Sequence, residues 1–127
     1  MPEIALRLEA VSHLFHPGTT SEVRALDTID LELERGTFTV VVGTNGSGKS
    51  SLLNAIAGSL ALAEGRVFLQ GEDVTQWPEQ RRARLIGRVF QNPFTGTAPD
   101  LTIAENLALA ARRGERRLLR PALGRDR

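Results

Sequence analysis

Alternation of apolar and polar positions marks the first elements. Ile4, Leu6 and Leu8 fall on one side of an extended backbone, with Ala5, Arg7 and Glu9 on the other. Residues 4–9 therefore predict a half-buried strand. Residues 28–34 repeat the pattern more strictly, with Ile29, Leu31 and Leu33 set against Asp30, Glu32 and Glu34. Residues 17–21, Pro-Gly-Thr-Thr-Ser, separate the two as a loop. Arg35-Gly36 then turns the chain into residues 37–42, Thr-Phe-Thr-Val-Val-Val. This near-continuous β-branched run predicts a strand covered on both faces, as in parallel α/β sheets.

Helical spacing follows. Leu52, Leu53, Ile56 and Ala57 form one stripe of a helix over residues 50–57, and Gly58 is its stop. Residues 66–69 predict a strand that ends at Gly71. Pro78 sits at the first position of a short helix reaching Arg84. Residues 86–90 read as the next strand, and residues 94–99 as loop. Thr102 and Glu105 form a capping box opening a helix that carries Ile103, Leu107 and Ala110 or Ala111 on one face. Beyond Arg112 the pattern dissolves into arginines, Pro121 and Gly124.

Between the strand at 37–42 and the helix at 50–57 lies Gly43-Thr44-Asn45-Gly46-Ser47-Gly48-Lys49-Ser50. It has the G-x-x-x-x-G-K-S spacing of a phosphate-binding loop, in the strand–loop–helix setting that such a loop requires. Consecutive backbone N–H groups form an anion nest, and the helix adds its positive N-terminal end. Lys49 reaches toward β- and γ-phosphate oxygens, and the Ser50 hydroxyl is a ligand for Mg²⁺. Lys49 is also the single lysine in the chain, whereas the other 15 basic residues are arginine. A compact ammonium on a flexible stem suits a tight loop that a planar guanidinium would crowd.

Composition narrows the class. The 127 residues suffice for one domain with a core, and the charged fraction of 24% is ordinary for a globular chain. A net charge of +1 points neither toward nor away from nucleic acid. The spread is uneven, with seven arginines from Arg112 onward against Glu115 and Asp126. This end predicts a solvated basic tail without the interleaved aromatics of a nucleic-acid surface. There is no cysteine, hence no disulfide framework or cysteine metal site. Met1-Pro2-Glu3 has no signal-peptide character, and no apolar run approaches the roughly 20 residues of a membrane helix. The expected compartment is the cytoplasm.

Several segments in order carry a resemblance. Arg24-Ala25-Leu26 and Gly36 precede the phosphate loop, and Ser50-Ser51-Leu52-Leu53-Asn54-Ala55-Ile56-Ala57-Gly58 follows it. Then come Glu64-Gly65-Arg66-Val67-Phe68-Leu69-Gln70-Gly71, Val89-Phe90-Gln91-Asn92-Pro93 and Ile103-Ala104-Glu105-Asn106-Leu107. Together they resemble the N-terminal half of an ATP-binding subunit of an ABC transporter, from about Ile4 to about Arg113. The implied fold is α/β: a P-loop NTPase core, with a partial parallel sheet and flanking helices, plus an N-terminal antiparallel β layer. Residues 1–113 are expected to form a partial ABC-type nucleotide-binding domain, and residues 114–127 a basic tail, disordered or out of its native context.

The resemblance implies ATP and Mg²⁺ as cofactors. Phe15 corresponds to the aromatic residue stacking on adenine, with His16 as the neighbouring alternative. Gly43, Thr44, Asn45, Gly46, Ser47, Gly48, Lys49, Ser50 and Ser51 correspond to the nucleotide-binding loop; the family commonly has Thr where Ser51 stands. Gln91 corresponds to the glutamine that contacts Mg²⁺ and the attacking water, so Lys49 and Gln91 are the catalytic candidates, and Ser50 and Gln91 the metal ligands. Implied partners are a transmembrane permease subunit and a second ATP-binding subunit, with no nucleic acid. The membrane is reached only through the permease, at the inner face of the cell membrane.

The family's Asp-Glu strand, its Ser-Gly-Gly-Gln signature and its late histidine have no match after Gln91. Hydrolysis needs a second carboxylate and a base that orients water. The expectation is ATP binding with little turnover, in a truncated domain with an unpaired sheet edge and a tendency to aggregate. Two readings stand: an ATPase subunit that energises transport, or a non-catalytic nucleotide-binding remnant. A GTPase or small-molecule kinase ranks behind them, since the chain lacks an Asn-Lys-x-Asp element to read guanine. The combination of residues 43–50, Trp77-Pro78-Glu79 and residues 90–100 is similar to ATP subunits of bacterial importers; the cargo is not legible.

Overall fold

The computed structural model describes residues 2–92 and 94–112. It divides into two compact units, residues 1–79 and 80–127. The first contains β1 (Ile4–Phe15), β2 (Val23–Glu34), α1 (Lys49–Ala57), β3 (Glu64–Leu69) and β4 (Glu72–Asp73). A four-residue helix, α2 (Glu79–Arg82), spans the junction, and the second unit contains α3 (Ile103–Ala111).

The four strands form one antiparallel sheet in the order β2-β1-β3-β4. Its core is small: Leu8, Val11, Leu26, Val67, Leu69 and Val74 are buried, joined by Ala55 and Ala57 of α1. Burying each of the large side chains contributes about 1.5–3 kcal/mol.

β1 and β2 are each 12 residues long, well beyond the alternating segments at 4–9 and 28–34. The reason is a pair of irregularities. The apolar series of β1 runs Leu6, Leu8 and then Val11, with a register shift between Leu8 and Val11. Ala10 takes a left-handed φ of 48°, and on β2 Thr28 has φ of 49°. Such bulges leave ladder donors unpaired, and side chains take them up here. Asp30 Oδ1 accepts from Ala10 N at 2.8 Å, and Ser12 Oγ accepts from Thr28 N at 2.9 Å. Strand pairing therefore continues through the phase change, to Phe15 opposite Val23.

β3 approaches the bulge closely. A methyl group on Gly65, whose φ is +99°, would lie 2.5 Å from the Ala10 carbonyl oxygen. Only glycine combines that conformation with that clearance.

Two expected strands are absent among the described residues. Residues 37–42 and 86–90 have no ladder partner. Phe38 is 93% exposed, Val42 84% and Val89 98%. β-branched side chains favour an extended backbone but do not supply the neighbouring strand or the covering layers. The partial parallel sheet thus gives way, in the described residues, to the antiparallel layer alone. The helix expected to reach Arg84 ends at Arg82. In the second unit, Thr102 and Glu105 form the capping box at α3, with Glu105 N donating to Thr102 Oγ1 at 3.2 Å. The α3 face bearing Ile103 and Leu107 is exposed.

Candidate functional site

The phosphate loop runs from the unpaired residues 37–42 into α1. Ser47 N donates to Thr44 O at 3.2 Å, closing a tight turn. Lys49, the first residue of α1, folds back over it. Its Nζ donates to Gly43 O at 2.6 Å, to Thr44 O at 2.7 Å and to Ser47 Oγ at 3.3 Å. All three ammonium hydrogens are thus matched by oxygens of the loop. Carbonyl oxygens facing a phosphate would repel it, and here two of them are turned onto the cation.

Glycines make the wrapping possible. A Cβ on Gly43 would lie 2.5 Å from Ser47 Oγ. Gly48 precedes α1 with φ of 96° and provides no side-chain cap. The N–H groups of the first helical turn are left for an outside acceptor. No acidic residue occupies that turn, so the positive end of the helix dipole is uncancelled. Ser50 is exposed beside Lys49, and Ser51 is half-buried. Thr44, Asn45, Gly46 and Ser47 are exposed.

The loop is seated on the end of the β1–β2 pair. A Cβ on Gly48 would meet Ala25 O at 2.9 Å and Leu26 Cδ2 at 3.7 Å. Leu26 is the register partner of His13, and two residues on, Phe15 pairs with Val23. β2 therefore brings Phe15 and the phosphate loop to the same end of the hairpin. Phe15 is 40% exposed and meets the His13 ring perpendicularly, with centroids 4.7 Å apart. His16 lies in the following turn, where its carbonyl accepts from Thr19 Oγ1 at 2.7 Å.

Gln91 belongs to the second unit, on an exposed segment ahead of a turn. In that turn Asn92 Oδ1 accepts from Phe94 N at 3.0 Å. Farther on, Asn106 of α3 braces the approach to its own helix, accepting from Ala98 N at 2.9 Å and donating to Ala98 O at 3.1 Å. Asn106 lies in a segment that carries the family resemblance, but the His13 contact has no periodic or motif signal of its own.

The donor set fits a nucleotide phosphate with a hard divalent cation. The loop supplies an ammonium, uncapped helix N–H groups and the Ser50 hydroxyl, and hydroxyl oxygen suits Mg²⁺. Among the described residues no group of three or more His, Cys, Asp or Glu side chains forms a metal cluster. The metal donors named from sequence, Ser50 and Gln91, are not of those types.

Comparison with known proteins decides the family. The sequence model of the ABC transporter family matches residues 26–125. The chain belongs to the ABC transporter family. As a member it is 38% identical over 89 residues to a tyrosine transport ATP-binding protein of Clostridioides difficile, covering 70% of this chain and 36% of that protein. It is 36% identical over 104 residues to a probable branched-chain amino acid transport ATP-binding protein of Archaeoglobus fulgidus, covering 81% and 40%. Among solved structures it is similar to a nucleotide-free ATP-binding cassette from an ABC transporter, with a TM-score of 0.71, 32% identity, and coverage of 91% of this chain and 44% of that one. A bacterial ABC transporter cassette solved as a dimer gives a TM-score of 0.73 at 27% identity, covering 91% and 50%. This ABC transporter chain therefore spans half or less of the length of these relatives. Its fold is that of the corresponding part of an ATP-binding cassette. Among the described residues no helix is long and apolar enough to cross a membrane.

Proposed function

We propose that this chain binds ATP with magnesium as the phosphate-gripping part of an ATP-binding subunit that energises transport across a membrane. The observation that carries this reading is Lys49 locked onto the carbonyls of Gly43 and Thr44 at the uncapped start of α1. In this reading Gly43 to Ser51 hold the triphosphate, Phe15 stacks on the adenine, and Ser50 and Gln91 hold the metal. When bound, magnesium would be held by Ser50 and Gln91 and would offset the negative charge of the phosphate oxygens. Lys49 holds its loop shut and presents its charge to the same oxygens. Gln91 orients water.

The subunit works at the cytoplasmic face of the membrane, against a permease and a second ATP-binding subunit. Dimeric cassettes among its structural relatives support the second partner.

Residues 1–127 contain no Asp-Glu strand end and no Ser-Gly-Gly-Gln after Gln91. This favours, for this stretch alone, binding without efficient turnover. Calorimetric titration with Mg-ATP is the test. Lys49→Ala removes a cation and three hydrogen bonds, so it weakens binding by about 10- to 100-fold. Equal binding by wild type and variant would refute the assignment. Steady-state phosphate release then separates the two readings: rapid release by residues 1–127 alone would rule out the binding-only form.

A further inference from the structure

We infer that His13 is a positioning residue for the base platform, fixing the attitude of the Phe15 ring relative to the phosphate loop. This rests on the reading of Phe15 as the surface on which adenine stacks.

Two contacts carry it. His13 is buried, with 9% of its surface exposed, and its Nδ1 lies 2.7 Å from Ala61 O. A carbonyl only accepts, so Nδ1 donates a hydrogen in this contact. Nε2 is also buried and has no hydrogen-bond partner. An apolar ring would fill the space without leaving that nitrogen unpaired. What histidine adds is the Nδ1–H bond, which ties the strand to the segment between α1 and β3. The second contact is the perpendicular ring pair with Phe15 at 4.7 Å, a geometry that ring quadrupoles favour and that resists rotation of either ring.

The surroundings make the tether directional. Ala63 N donates to Ser12 O at 2.9 Å, so residues 61–63 bind β1 at two successive positions. Ala61 lies four residues beyond Ala57, the end of the helix that the phosphate loop opens. On its other side His13 is in register with Leu26, whose Cδ2 is 3.7 Å from where a Cβ on Gly48 would stand. His13 is therefore linked to both ends of α1, while its ring supports Phe15. A base stacked on Phe15 inherits an orientation set from the triphosphate side.

The prediction separates the base from the phosphates. Binding of Mg-ATP and of magnesium tripolyphosphate, which has no base, is measured by calorimetry on the 127-residue chain. The variants are His13→Asn, which keeps an N–H donor but loses the ring, His13→Phe, which keeps a ring but loses the donor, Phe15→Leu, and His13→Asn with Phe15→Leu. Each His13 variant weakens ATP binding by about three- to tenfold, the size of one aromatic pair or hydrogen bond. Tripolyphosphate binding stays unchanged. In the Phe15→Leu background, His13→Asn has no further effect.

A parallel loss of tripolyphosphate would mark His13 as merely structural and overturn the inference. Multiplying losses in the double variant would do the same, as would wild-type ATP affinity in either His13 variant while Phe15→Leu is weakened. If Phe15→Leu itself binds ATP as wild type does, the base-platform reading falls, and this inference with it.

Discussion

Gly48 meets two demands at one backbone position. It must hold a φ of 96° and leave room for Ala25 O. Gly48→Ala is expected to lower stability by about 1–3 kcal/mol from backbone strain and crowding, read as a shift in the urea midpoint. Nucleotide affinity falls with it, because the seat of the loop on β2 is disturbed. A Gly46→Ala change is the contrast. Gly46 has φ of 81° with open space around it, so it carries only the conformational cost of about 1 kcal/mol. At this scale the sequence is informative where chemistry is local. The spacing from Gly43 to Ser50 is legible because its residues act on one another within a single turn. His13 is not, because its partner Ala61 lies far along the chain, in the connection between α1 and β3.

At the scale of elements, short-range signals held and long-range ones were bent. Thr102 and Glu105 lie three residues apart and form the expected box. Thr102→Ala should reduce α3 stability by about 1 kcal/mol, seen as faster amide exchange in the first turn of that helix. β1 and β2 were only half legible. Alternation breaks at Ala10 and Thr28, so a period of two stops short while pairing runs on for several residues. The rescue by Asp30 and Ser12 is a contact across strands that no window along one strand contains. Gly65 is the corresponding test on β3. Gly65→Ala would drive a methyl into Ala10 O at 2.5 Å, at a φ of +99°. The expected loss is about 3 kcal/mol or more, large enough to broaden or abolish a cooperative thermal transition.

For the whole molecule, residues 37–42 are decisive. Their pattern describes a doubly covered strand, yet Phe38, Val40 and Val42 are exposed. A pattern encodes the environment a strand suits, and neighbours elsewhere must supply it. Unpaired extended chain with β-branched side chains seeks partners. The 127-residue chain is expected to self-associate with rising concentration, measured by light scattering. Val40→Lys should suppress this severalfold, since a charge on the exposed face opposes stacking. Unchanged scattering would move the cause elsewhere. Lys49 has a different importance at this scale. Apart from the chain's amino terminus it is the only primary amine in the sequence, and its nitrogen is occupied by loop oxygens. The molecule thus contains its own chemical reporter. Acylation by an amine-directed reagent, mapped by peptide mass, would read out whether the loop is gripped or released, with no label to introduce and no second lysine to confuse the signal.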